Sequence, residues 1–363
     1  MPAMKTSPDS PSFPKFRILS AMAAAAALLA AGCADTPAPE APPARADWPD
    51  VDLPVLYWWV VLDKPAVPEY VSTASAFRAQ VADLAEGGFA TVGAREMEAY
   101  RTRGEPLPER PCVLWLGLPL RSLLETVEPV LSEAGFCALV TTPSEDLADT
   151  AGEEGGRNRW PGAMLSWEEL RAAQARGVLR FIPACKAHNA GLGLDEAVAL
   201  FREKAGFVPE AFVASTAPSN VVRRTSEAHG VPVAFSATAQ PQRWGRSSNP
   251  LAVTFRPTLG GVQSFRFEAT PAGTVRVRHE SGQDPHEYAP PLALLLYRPG
   301  ESEPVLDVPL RKENGRGGWS PIVRGDTFET ALPEGVALPL EAFVYDDARI
   351  VLYARGPVAE AAP

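Results

Sequence analysis

The histidines that could do acid–base or metal chemistry are few in this chain, and they are scattered. There are four histidines. His188 stands alone at the end of an apolar run, and His229 precedes Gly230 at the end of a helical stretch, where it reads as a partner for the helix dipole. His279 and His286 have no neighbour at metal-ligand spacing. The acids that invite attention are Asp146, Glu153 and Glu154 in "SEDLADTAGEEGG", a Gly-flanked loop that reads either as solvated surface or as a source of a general acid or base. Nucleophile elbows of the G-x-S-x-G type, H-E-x-x-H pairs and phosphate loops are all absent from the sequence. A catalytic divalent metal needs about three protein ligands and an open position. One isolated imidazole does not make such a site.

The elements that must position these residues are clearer than the residues themselves. From Pro54 the chain alternates apolar runs with amphipathic stretches, as in "LPVLYWWVVL", "STASAFRAQVADLAEGG", "FATVG" and "AREMEAYRTRG". Ser72 and Thr73 are cap candidates for the first helix, whose Phe77, Val81 and Leu84 share one face. Ser166 and Glu169 form a capping box ahead of "WEELRAAQARG". Strands then recur at "FCALVTT", "VLRFIPA", "AFVAS" and "VPVAFSA", the alternation that a (β/α) barrel or a doubly wound sheet requires. Beyond about Gly260 the helical pattern ends, and short runs such as "GTVRVRHE" and "LALLLYRP" predict a small all-β, sandwich-like domain.

Composition narrows the setting. The chain has 363 residues, 46% apolar and 21% charged, with a net charge of −10. No basic patch is available to neutralise phosphates, which argues against a nucleic-acid partner. Lys5, Lys15 and Arg17 precede the apolar "ILSAMAAAAALLAAGC", a secretory signal whose end resembles a bacterial lipobox with Cys33 as the lipidated residue. The Pro/Ala-rich "ADTPAPEAPPARADWPD" then reads as an extended tether. The expected organisation is a signal peptide over 1–33, a linker over 34–52, an α/β domain over 53–259, a β-rich domain over 260–355 and a tail over 356–363. The expected location is the cell envelope, anchored to a membrane through Cys33, with Ala34 favouring the outer membrane. Cys112 and Cys137 lie in successive strands, either as a disulfide in an oxidising envelope or as two buried thiols.

The α/β stretch resembles the polysaccharide deacetylase family, carbohydrate esterase family 4 with its NodB-homology domain. The family segment "KPVVLTFDDGYRS" is matched without a gap by "RPCVLWLGLPLRS", Arg110 to Ser122. "LTWEQL" corresponds to "LSWEEL", and "SHTxxH" to "ACKAHNAGL". "FAYPYGxxN" corresponds to "FVASTAPSN", and Ser72, Phe77, Gln80 and Leu84 stand near a further family spacing. The resemblance implies a distorted (β/α) barrel acting on acetylated chitin, peptidoglycan or exopolysaccharide with a divalent metal such as zinc. It also implies that the chemistry is gone. Gly117 stands at the catalytic-base position, Leu118 at the metal-ligand Asp, and Ala184 at about the first ligand His, leaving His188. No metal cofactor is therefore expected.

Trp59 takes the place of the family's strand-one histidine, and Trp115 stands just before the lost acids. Trp59, Trp115, His188 and, in "QRWGRSSN", Trp244 with Arg246 are the candidates for glycan contact. The large rings serve either as a stacking platform for a sugar or as filler for a vacated site. Three readings follow: a glycan-binding or accessory envelope lipoprotein without deacetylase activity, a hydrolase with an altered site on C–N or ester bonds, and a structural envelope assembly protein.

Overall fold

The computed structural model describes residues 48–62, 71–149, 163–184, 193–215, 217–239, 243–257, 264–281, 292–313, 319–321, 325–346 and 349–360. Cys33, Glu153, Glu154, Cys185, His188 and His286 lie outside them. Residues Ala46–Pro363 belong to one compact unit. Among the described residues no helix is long and apolar enough to cross a membrane.

The first half runs β1 (Val51–Asp52), β2 (Val55–Trp58), β3 (Val60–Leu62), β4 (Val71–Thr73), α1 (Ala74–Glu86), β5 (Ala90–Thr91), α2 (Ala94–Arg103) and β6 (Pro111–Leu116). A π-helical turn over Leu123–Val127 leads into α3 (Glu128–Ala134), followed by β7 (Ala138–Pro143), α4 (Trp167–Arg176), β8 (Leu179–Ala184) and α5 (Leu194–Ala205). Then come β9 (Ala211–Ser215), α6 (Ser219–His229), β10 (Val233–Ala239), β11 (Arg243–Trp244) and β12 (Val253–Pro257). The helix ends follow their caps. Thr73 Oγ1 accepts from Ala76 N at 3.1 Å, and Ser166 and Glu169 exchange the two bonds of a capping box.

The parallel sheet has the order β2-β12-β10-β9-β8-β7-β6-β5, and β2 also pairs with β6 from Val55↔Val113 to Trp58↔Leu116. That last pairing closes seven strands into a ring, a distorted (β/α) barrel, with β5 attached to the start of β6. Strand alternation divides the side chains accordingly. Val113, Trp115, Leu139, Ile182, Val213, Val233 and Phe235 pack together inside the ring. Cys112, Leu114, Leu116, Val140 and Phe181 face outward beneath the helices.

The second half is all β: β13 (Ser264–Ala269), β14 (Thr274–Ser281), β15 (Leu292–Tyr297), β16 (Leu306–Glu313), β17 (Trp319–Pro321), β18 (Thr327–Ala331), β19 (Glu341–Asp346), β20 (Leu352–Pro357) and β21 (Ala359–Glu360). A four-stranded sheet, β18-β14-β13-β21, and a five-stranded sheet, β17-β16-β15-β19-β20, share a core through Val275, Val277, Leu294 and Val344. This core is continuous with the outer layer of the barrel, since Phe77, Val81 and Leu84 of α1 belong to the same cluster.

At that junction Tyr345 of β19 donates to Asp83 of α1 at 3.4 Å. Burial pushes the Asp83 carboxyl up to about 6, against the opposing pull of the Tyr345 hydrogen bond. The folded state thus holds this proton more tightly than the unfolded chain, whose carboxyl titrates at about 3.9. The stability it contributes is present below about pH 4 and is lost as pH rises through about 6. Asp83→Asn is expected to stabilise the protein by about 1 kcal/mol at pH 7.5, after allowance for solvent screening, and by almost nothing at pH 4. Denaturant melts of both forms at the two pH values check this.

Candidate functional site

Barrel sites assemble at the C-terminal ends of the strands, and here the ends of β2 and β6 lie side by side. Gly117 N donates to Trp58 O at 2.8 Å, which draws the strand-end loop of β6 against the turn between β2 and β3. There is no room beside Gly117. A Cβ there would lie 2.5 Å from the Trp59 carbonyl oxygen, 2.6 Å from the Tyr57 hydroxyl and 3.0 Å from Trp59 Cα. Tyr57 therefore occupies the space that an acid at 117 would need. Burial pushes the Tyr57 phenol well above its ordinary range, so it remains protonated.

Leu118 points into an apolar cluster with Val60 and Leu120, against which Leu62 and Met164 pack. The loop is tied down from the other side by Leu165 N to Pro119 O at 2.7 Å and Arg121 N to Ala163 O at 2.9 Å. Ser122 Oγ donates to Val61 O at 3.0 Å, and Arg121 pairs with Glu169 at 3.0 Å. Arg121 and Ser122 are thus scaffold, holding the loop against β3 and α4. Ala184 is buried inside the barrel. These residues do not fit a divalent metal: a hydrogen, an isobutyl group and a methyl offer no lone pair. Among the described residues, no three His, Cys, Asp or Glu side chains gather as a metal-binding group.

The tryptophans separate sharply. Trp59 is 39% exposed, one of two large apolar side chains so placed among the described residues. It meets the Tyr57 ring edge-on at 6.1 Å. Trp115, by contrast, lies within the barrel core, 4.7 Å from Tyr57 and 5.2 Å from Phe235, with its Nε1 donating to Thr141 Oγ1 at 2.6 Å. Trp244 is completely buried, and its Nε1 donates to Met97 O at 2.8 Å. Neither Trp115 nor Trp244 offers a face to a sugar, so of the two readings both rings take that of filler, and Trp59 is the one of the three left exposed. Arg246 lies over the Trp48 ring at 5.7 Å, next to the strap formed by β1 and β11.

Asp146 is buried in a short turn directly after β7, where the sequence left solvated surface and a general acid or base both open. Nothing in the residue pattern singles out its neighbour Glu145, because Ser-Glu-Asp after a strand has the composition of an ordinary turn. Both Glu145 carboxylate oxygens are buried and have no hydrogen-bond partner among the described residues. His229 bonds Asp195 Oδ1 through Nε2 at 3.0 Å and so links α6 to α5. His279 is stacked on Phe265 at 4.6 Å in the β core. Cys112 and Cys137 are free thiols, that of Cys112 pushed far up by burial.

The sequence matches no family model and no curated protein. Solved structures are similar to part of the chain. IcaB from Ammonifex degensii has a TM-score of 0.45 at 18% identity, over 56% of this chain and 90% of that one. A de-N-acetylase from Aggregatibacter actinomycetemcomitans has 0.45 at 14%, over 56% and 94%. The Streptococcus pyogenes deacetylase PplD has 0.47 at 8%, over 58% and 93%. The chain is a distorted (β/α) barrel joined to all-β sheets, similar over little more than half its length to solved deacetylases.

Proposed function

We propose that this protein is an envelope lipoprotein, tethered through Cys33, that binds polysaccharide or peptidoglycan glycan on a deacetylase-like barrel without deacetylating it. The observation that carries this reading is the packing at Gly117, where the Tyr57 hydroxyl and the Trp59 backbone fill the place of an acid side chain. The motif correspondence across the barrel supports the choice of ligand class. The exposed Trp59 indole at the strand ends provides an aromatic surface of the kind on which a sugar ring stacks.

The test is cosedimentation with purified peptidoglycan and with chitin, together with an acetate-release assay on acetylated oligosaccharides supplied with zinc, cobalt or nickel. Retention without acetate release is expected. Trp59→Ala should weaken retention about tenfold, a loss of about 1.4 kcal/mol, while changing stability by about 0.5 kcal/mol or less. Stoichiometric metal uptake with acetate release would overturn the proposal. So would absence of retention on both glycans.

A further inference from the structure

A groove of about 490 Å³ opens beside the ends of β9 and β10, lined by Ser219, Asn220 and Arg223 of α6, by Ser236, and by Asn249 and Leu251 ahead of β12. That size lies within the roughly 300–1,000 Å³ range of small-molecule sites. Its charge is unusual for this chain. The protein carries a net charge of −10, yet among the described residues no acid lines the groove and Arg223 is its one charged liner. Arg223 is exposed and makes no ion pair or hydrogen bond among the described residues.

The surrounding donors point the same way. Helix α6 begins after Pro218 with no side-chain cap, and its first internal bonds run from Val221 N and Val222 N to Pro218 O. The N–H groups of Ser219 and Asn220 therefore have no carbonyl within the helix to bond. Asn249 Oδ1 accepts from Leu251 N at 3.1 Å, which leaves the amide NH₂ of Asn249 as its remaining donor group. A single guanidinium matches a single negative charge and can grip a carboxylate through two parallel bonds. Ser219, Ser236 and Asn249 suit hydroxyls, and Leu251 suits a C–H face.

We propose that this groove binds an acidic sugar, a uronic acid unit held by its carboxylate on Arg223. The anion preference stands on the groove alone, whereas the sugar rests on the glycan reading above. The full chain, in detergent, would be titrated at low salt with sodium glucuronate, its neutral methyl ester, acetate and inorganic phosphate, by calorimetry or ligand-observed NMR. Glucuronate is expected to bind, with affinity falling at least tenfold in Arg223→Gln and in the methyl ester. Equal binding of the ester, indifference to Arg223→Gln, or stronger binding of acetate or phosphate would overturn the assignment. Loss of glucuronate binding in Trp59→Ala would place the ligand at the tryptophan, overturning this inference while leaving the glycan reading intact. Failure of peptidoglycan and chitin retention with glucuronate binding preserved would do the reverse.

Discussion

Placing an acid at the strand end, as in Gly117→Asp, is expected to lower stability by about 2–3 kcal/mol and to give no acetate release. The loss arises at the Cβ, before the carboxylate is considered. That atom would lie 2.5 Å from the Trp59 carbonyl oxygen and 3.0 Å from Trp59 Cα, and both belong to backbone that cannot swing aside. Gly117→Ala should therefore cost nearly as much as Gly117→Asp. The third close contact, 2.6 Å from the Tyr57 hydroxyl, can be relieved. Combining Gly117→Ala with Tyr57→Phe should recover part of the loss, with the backbone clash remaining. Denaturant melts of the three variants beside the parent separate these contributions. A Gly117→Asp protein as stable as the parent and binding zinc would show that the loop opens to accept a site.

What the sequence disclosed and what it withheld divide along physical lines. Helix limits were legible because caps are local: Ser166 and Glu169 lie three residues apart, and Gly135 ends its helix at φ 69°. Strand existence was legible in apolar runs such as "PCVLWL". The closure of the ring was not, because a strand buried on both faces has no polar alternation to say which side is which. Val113 and Trp115 face the barrel interior while Cys112 and Leu114 face the helices, and that split depends on the register of β2 against β6. Strand β12 was missed in "LAVTFRP", and β18, with its exposed–half-buried alternation, carries too little apolar signal. Of the candidate site, the missing lone pairs at Gly117, Leu118 and Ala184 could be read directly from residue types. Accessibility could not, which is why three tryptophans of similar appearance became one exposed ring and two core rings.

Trp244 shows most clearly how far burial can depart from local composition, and its replacement should have the largest effect on stability. Its neighbours in "QRWGRSSN" are polar, so the segment resembles surface loop. Yet β11 pairs with β1 through Val51↔Trp244, and the indole packs with Leu53, Val55, Met97 and Tyr100 inside the barrel. Trp244→Ala is expected to cost about 3–5 kcal/mol, the range for removing a large buried ring whose cavity cannot fully collapse. Trp244→Phe keeps most of the packing but removes the donor to Met97 O, and should cost roughly 1–3 kcal/mol. The difference between the two measures packing against hydrogen bonding at the same position. Below its melting transition, each variant should retain glycan like the parent. A sugar platform would behave in the opposite way, with unchanged melting and lost retention, which is the result expected for Trp59→Ala. The pair of variants therefore tests whether recognition rests on the exposed ring at the strand ends or on the buried one beneath the β1–β11 strap.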